Sequence, residues 1–320
     1  MKTIIQTMLA AMMGVVTVTA IAQQYPTKPV RMLVGIAPGG GLDTGTRTVA
    51  GKLSELLGQP FIVENRPGGG GTIAAAAAAK AAPDGYILLM ATTTIMIHPS
   101  VYANLPYDPI KDFTPIGAAG TEVLVISVHP SVPAKNTAEL IALLKANPGK
   151  YNYGTPGVGT VHHLSMELFK KQAGVDILHI PYKGAALITP DLISGNIRMA
   201  IMSVNTTAPQ ARAGKIRAIA VSSPVKIPAA PWPALAVTLP GFDTSSTRLV
   251  MAPAGVPREV VVRVSDALRR ALAADDVKRA FLKQGSAGQF VSPEDLVKSM
   301  QADMRKWRDV AIAAGVRARK

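Results

Sequence analysis

A chain of 320 residues is too long for one ordinary domain and about right for two. It has no cysteine, which excludes disulfides, thiolate catalysis and Cys-ligated metals. Lys and Arg number 34 against 20 Asp and Glu, a formal net charge of +14, yet only 5% of residues are aromatic. The basic residues are scattered apart from a small group at Arg317, Arg319 and Lys320. With so few stacking platforms, nucleic acid is not expected as a partner; the charge reads as attraction for small anions and a contribution to solubility.

Met1-Lys2 is a charged start, Ile4 to Ile21 is apolar and rich in small residues, and Ala20-Ile21-Ala22 before Gln23 fits a signal-peptidase site. Residues 1–22 are therefore expected to be a signal peptide cleaved after Ala22, with the mature chain exported to a bacterial periplasm. No cysteine follows the apolar run for lipid attachment. No later segment offers the ~20 apolar residues of a membrane span; the run Ala74 to Ala82 is broken by Lys80. A chain of this size can bury enough core to fold without disulfides.

Val30–Val34, Phe61–Val63 and Tyr86–Ala91 read as strands, with helices over Asp43–Leu57 and Thr72–Ala82 between them. Such alternation predicts a parallel sheet of right-handed βαβ units. A Pro/Gly-rich stretch from Pro99 to Pro115 wanders before a strand at Val123–Val128. A second alternating set follows: helix Thr137–Ala146, a strand at Tyr151, helix Val161–Gln172, strand Ile177–Ile180, helix Pro190–Ser194, then strands Arg198–Met202 and Ile216–Val221. A proline-rich region, Ser222 to Ser246, precedes a strand at Leu249–Met251. Two helices are expected to end the chain, Arg258 to Leu272 and one capped by Ser292, with Pro293 in its first turn and Asp295 three residues on. The simplest arrangement is two α/β lobes, each a βαβ sheet flanked by helices. Residues 23–124 and 248–320 would form lobe 1 and residues 125–247 lobe 2, with crossings near Thr121–Val125 and Ser245–Val250.

Two stretches share one design, a short apolar strand, a glycine-rich loop and a first helical turn. One runs from Leu33 through Pro38-Gly39-Gly40-Gly41 to Asp43, the other from Tyr151 through Thr155-Pro156-Gly157-Val158-Gly159 to Thr160-Val161-His162. In each, backbone N–H groups unshielded by side chains converge at the positive end of a helix, a site for an anion. Two such loops more than a hundred residues apart suggest a pincer on a small acid. A side chain at Gly40 is expected to fill the anion position. Asp43 reads as the cap of its helix, with ligand contact as the alternative, and Thr160 as the cap of the other.

A dinucleotide fingerprint fails, because counting from Gly39 the third glycine falls at Thr44. No Gly-Lys-Ser/Thr closes a P-loop. His163 and Glu167 are four apart on one helical face, but two ligands do not make a metal site. No G-x-S-x-G or H-E-x-x-H is present, so nothing positive points to catalysis. Pro67 to Gly71 is a third glycine-rich loop. Lys183-Gly184 and Asp191 follow the Ile180 strand, Lys183 being the candidate cation on the second lobe's rim.

Ordered motifs run along the chain: Tyr25-Pro26, Ala37-Pro38-Gly39-Gly40-Gly41-x-Asp43, Val63-Glu64-Asn65-Arg66-Pro67-Gly68, Pro83-Asp84-Gly85-Tyr86, and Leu105-Pro106-Tyr107-Asp108-Pro109. Further along come Gly157-x-Gly159-Thr160-x-His162-His163, His179-Ile180-Pro181-Tyr182-Lys183-Gly184, Pro240-Gly241-Phe242 and Ala252-Pro253-Ala254-Gly255. Together they resemble the substrate-binding proteins of tripartite tricarboxylate transporters, the Bug family. The resemblance implies a two-lobed periplasmic binding protein (a Venus flytrap, type II-like) that is monomeric, carries no cofactor or metal, and hands a small carboxylate to membrane permease subunits. It implies ligand contacts from Pro38 to Asp43 and from Thr155 to Thr160, with His163, Lys183, Gly184 and Asp191 nearby and Thr93 as a cleft hydroxyl. Where relatives read Phe-Asp-Asn or Phe-Asp-Ser, this chain has Ile201-Met202-Ser203, which keeps Ser203 as a candidate contact. Thr247-Arg248-Leu249 replaces a Trp-aromatic-Gly pattern, and Ala236 replaces a Glu. Family ligands include dicarboxylates, tricarboxylates, acidic amino acids and aromatic acids. The competing reading is a secreted hydrolase acting on a small anionic substrate.

Overall fold

The computed structural model describes residues 25–224 and 229–316. The expected signal peptide and the basic group Arg317, Arg319 and Lys320 lie outside the described residues. The first run of elements is β1 (Val30–Val34), α1 (Gly41–Leu57), β2 (Phe61–Asn65), α2 (Thr72–Ala79), β3 (Ile87–Thr92), α3 (Thr94–Val101) and β4 (Phe113–Glu122). The middle run is β5 (Leu124–Val128), α4 (Thr137–Ala146), β6 (Asn152–Thr155), α5 (Val161–Ala173), β7 (Leu178–Pro181), α6 (Ala185–Ser194), β8 (Met199–Ser203), α7 (Val204–Arg212) and β9 (Arg217–Val221). The last is β10 (Ser246–Pro253), α8 (Arg258–Ala273), α9 (Asp275–Lys283), β11 (Ser286–Val291) and α10 (Pro293–Ala313).

The strands form two sheets, one of order β11-β4-β10-β3-β1-β2 and one of order β7-β6-β8-β5-β9. Helices flank both, and the two-lobed α/β expectation holds. Central strands β3 and β8 are apolar runs buried almost throughout, the composition of strands covered on both faces. The expectation of parallel sheets is corrected. β1 is parallel to β2 and β3, and β6 to β7 and β8. However, β10 runs antiparallel to β3 and β4, β11 to β4, and β5 to β8 and β9. The cause is the path between sheets. Only Val123 separates β4 from β5, and β10 returns to the first sheet running the other way. Apolar patterning marks strands but does not tell their direction.

The segment read as wandering, Pro99 to Pro115, begins inside α3 and ends inside β4. Pro99 lies inside α3, and β4 carries Pro115, Gly117 and Gly120, residues that normally mark breaks. The sheet absorbs them at irregularities: β10 shifts register between Val250 and Met251, opposite Gly117 and Pro115, and β11 between Ala287 and Phe290. Bulges at such positions are how strands accommodate glycine and proline. Helices α7 and α9 and strand β11 were likewise not expected.

Helix α10 starts as predicted, with the Ser292 side chain accepting from the Asp295 N–H at 3.2 Å. Its first half packs Leu296 and Met300 into the core beneath the first sheet. Its second half places Trp307 and Ala311 in the core of the second sheet, beside Ile97 and Val101 of α3. Among the described residues, no helix is long and apolar enough to cross a membrane.

Candidate functional site

Between the sheets lies a cavity of about 60 Å³, room for roughly four to six water molecules. That suits a small acid rather than a nucleotide. Most of its wall is apolar, from Leu42, Leu89, Ile95 and neighbouring residues. Six helices begin at it. Gly41 and Leu42 open α1, Gly71 caps α2, and Thr94 and Ile95 open α3. Thr160 caps α5, Ala185 opens α6, and Ser203 precedes α7. The first N–H groups of a helix lack intrahelical acceptors, and each helix start carries about half a positive charge. No Lys or Arg among the described residues lines the cavity.

The first loop is built around Asp43, which is buried. The structure corrects its expected role. Gly40 is the N-cap and Asp43 sits in the first turn, reaching back to accept the Gly39 N–H at 2.9 Å. Its other oxygen accepts from Asn65 at 2.8 Å, and Arg47 pairs with it at 3.0 Å. Burial alone would raise its pKa, but the bonds from Arg47, Gly39 and Asn65 outweigh that and hold it below the usual carboxylate value. Pro38 and Gly39 are exposed and shape the loop from outside. Of the loop glycines, Gly41 is the one packed tightly against the cavity wall. A Cβ on Gly41 would lie 1.9 Å from Glu122 Oε1 and 2.5 Å from Ser203 Oγ, whereas one on Gly40 would meet only the end of Ile36, at 2.7 Å, and the Ala37 carbonyl.

In the second loop Thr160 caps α5 as predicted, accepting the His163 N–H at 3.2 Å and donating to the Gly157 carbonyl at 2.8 Å. Thr155 lies 2.7 Å from His179 Nε2 and accepts the Gly157 N–H at 3.3 Å. Thr155, Gly157 and Gly159 thus hold Pro156 and Thr160 at the cavity without lining it. Gly157 touches the third glycine-rich loop at Gly70 and is favoured by its backbone, at φ 151°, which L side chains rarely adopt. Gly184 is required by close approach: its Cβ would stand 2.9 Å from Ala37 Cβ. Asn205 bonds Thr44 at 3.1 Å, and the Val161 N–H donates to Thr94 at 3.1 Å. These contacts close the two lobes over the cavity.

Other expected residues lie elsewhere. His163 turns away from the cavity, accepts the Gly159 N–H at 3.3 Å and stacks on His179; its neighbour His162 lines the wall instead. Glu167 binds Tyr153 and Lys170, and no metal-type cluster occurs among the described residues. Lys183 is exposed. Asp191 accepts from Tyr182 at 2.6 Å and from Asn196 at 3.1 Å, bracing the turn after β7. Thr93 accepts the Thr247 N–H at 2.9 Å, and Thr92 and Thr94 on either side face the cavity.

Sequence reasoning missed the titratable wall residues, Glu122, His98 and His162. Glu122 is 4% exposed and accepts the Ser203 hydroxyl. The fully buried guanidinium of Arg248 lies 3.9 Å behind it and donates to the Gly41 carbonyl at 3.3 Å. The lone charged residue in the run from Ile116 to Val128 was the available signal. His98 bonds Tyr107 and the Gly70 carbonyl.

Burial lowers the pKa of both His98 and His162 to about 4. An unfolded histidine titrates near 6.5, so between about pH 6.5 and 4 the unfolded chain binds protons that the folded one does not. Stability is therefore full above pH 6.5 and falls as the pH drops to 4, by up to about 3 kcal/mol per histidine. Thermal midpoints measured from pH 7.5 to 4.5 should decline. A flat profile would show that these rings are not buried neutral.

Residues 46–316 match the family described as tripartite tricarboxylate transporter family receptor, TctC. BugT of Bordetella pertussis is 32% identical over 322 residues, covering 97% of this chain and 98% of that protein. Among solved structures, R. palustris Rpa4515 with adipate superposes with a TM-score of 0.89 at 34% identity, over 92% of this chain and 100% of that one. The periplasmic binding protein BugD gives 0.88 at 30% identity, also over 92% and 100%. Matched along most of its length and sharing this architecture, the chain belongs to the TctC family of solute-binding transport receptors.

Proposed function

We propose that this protein is a periplasmic receptor that captures a small organic carboxylate between its lobes and delivers it to a tripartite tricarboxylate-type membrane permease. One observation carries the reading: six helix N-termini converge on a single small, mostly apolar cavity. Such a place stabilises an anion through oriented N–H groups rather than through counter-ions, and the adipate-bound relative supports a carboxylate as that anion. Charge-assisted hydrogen bonds contribute ~1.5–3 kcal/mol each, and a helix start ~0.3–2 kcal/mol. Four such contacts give roughly 8–12 kcal/mol before closure costs, and a micromolar dissociation constant needs about 8 kcal/mol.

The lobes must part for the acid to enter. The two crossings, at Val123 and before Ser246, are the places where hinge bending separates the sheets without breaking either. The contacts of Gly184 with Ala37 and of Asn205 with Thr44 re-form on closure, so the permease meets one surface when the receptor is loaded and another when it is empty. The test is a thermal-shift screen of the purified mature protein against mono-, di- and tricarboxylates, followed by titration calorimetry. At least one acid should raise the midpoint by several degrees and bind in the micromolar range. No shift with any acid would overturn the proposal.

A further inference from the structure

Resting on the reading of the cavity as a carboxylate site, we propose that Glu122 makes this receptor select acids with one carboxylate and, at the far end, a hydrogen-bond-donating nitrogen, as a protonated amine or an amide. A single carboxylate side chain lines the cavity, at the crossing where β4 ends. Its Oε1 accepts the Ser203 hydroxyl and lies 3.9 Å from Arg248. Its Oε2 has no hydrogen-bond partner among the described residues. Arg248 is not part of the wall and spends its Nη2 on the Gly41 carbonyl. A ligand therefore meets a carboxylate oxygen, not a guanidinium.

Nothing else in the wall supplies a donor of opposite charge. His98 and His162 are neutral at physiological pH, and the other polar side chains facing the space are hydroxyls. Glu122 presents a carboxylate oxygen at its end of the cavity, with Arg248 behind it. In so small a space, a second ligand carboxylate would stand acceptor to acceptor against Glu122, and like charges repel strongly where water is excluded. An N–H at that end instead completes the free lone pairs of Glu122 in a charge-assisted bond. The Nδ1 of His162, also without a partner, is a further acceptor when the ring proton is on Nε2.

A matched set of four-carbon acids tests this by calorimetry on the mature wild-type receptor: butyrate, succinate, succinamate and γ-aminobutyrate. Succinamate or γ-aminobutyrate should bind roughly 10- to 100-fold more tightly than succinate, the worth of one charged hydrogen bond. In Glu122→Gln the preference should collapse, with succinate gaining and γ-aminobutyrate losing about tenfold. The wild-type comparison stands even if that variant is unstable. Succinate binding as tightly as the nitrogen-bearing acids would overturn the proposal and leave the carboxylate site intact. Failure of all four, alongside a thermal-shift screen blank for every acid, would overturn both.

Discussion

A Gly41→Val receptor is expected to remain folded and to lose its ligand. Gly41 is the first residue of α1, and its Cα lies against the wall formed by Glu122 and Ser203. An added Cβ falls 1.9 Å from Glu122 Oε1 and 2.8 Å from Ser203 Cβ. Neither neighbour is a loose chain end. Glu122 is held by Ser203 and Arg248, and Ser203 sits where β8 passes into α7. Relief must come from moving the start of α1 or parting the lobes, and either change displaces the N–H groups that would hold the acid. We expect affinity to fall at least about 100-fold, equivalent to ~3 kcal/mol, with overpacking reducing stability by ~1–3 kcal/mol. Gly40→Ala is the control. Its Cβ meets the tip of the Ile36 side chain, and alanine is a poorer N-cap, so stability should fall by ~1 kcal/mol while the affinity holds. A Gly41→Val dissociation constant within threefold of wild type, with a native circular dichroism spectrum, would remove α1 from the site.

The second large effect lies far from the cavity. Trp307→Ala is expected to cost ~3–5 kcal/mol, the range for emptying a large buried side chain. The indole is fully buried in the second core and its Nε1 has no partner, so the loss is chiefly packing, with a lesser cation–π contact from Lys306 at 5.6 Å. The same helix places Leu296 and Met300 in the first sheet's core, which makes α10 a clamp across both halves. The thermal midpoint should drop by roughly 5–15 °C. Ile312→Ala, at a side chain 69% exposed on the same helix, should change stability by less than ~0.5 kcal/mol. Equal midpoints for the two variants would show that α10 does not clamp the lobes.

Much of the candidate site and of its scaffold was legible because it is local. The loop from Pro38 to Gly41 before α1, the Thr160 cap of α5 and the Ser292 cap of α10 depend on residues within a few positions of one another. Errors of direction came from phase. His162 and His163 are adjacent, but one helical residue is about 100° of rotation, so one faces the cavity and the other the His179 ring. Thr92, Thr93 and Thr94 split in the same way at the end of β3. Strand β4 was hidden because Pro115, Gly117 and Gly120 are breakers in isolation, and only paired neighbours show that the sheet absorbs them.

The amino-acid order by itself determined the two alternating sets of strands and helices, the glycine-rich helix starts and the family. These follow from periodicity, backbone conformation and short-range hydrogen bonds. Tertiary structure alone decided that six helix starts meet at one cavity and that Glu122 is in its wall. Glu122 meets Ser203 across 81 positions, and Arg248 reaches Gly41 across 207. Pairings at that range arise when two sheets fold against each other and bury the polar groups between them, and no local pattern encodes which groups those are.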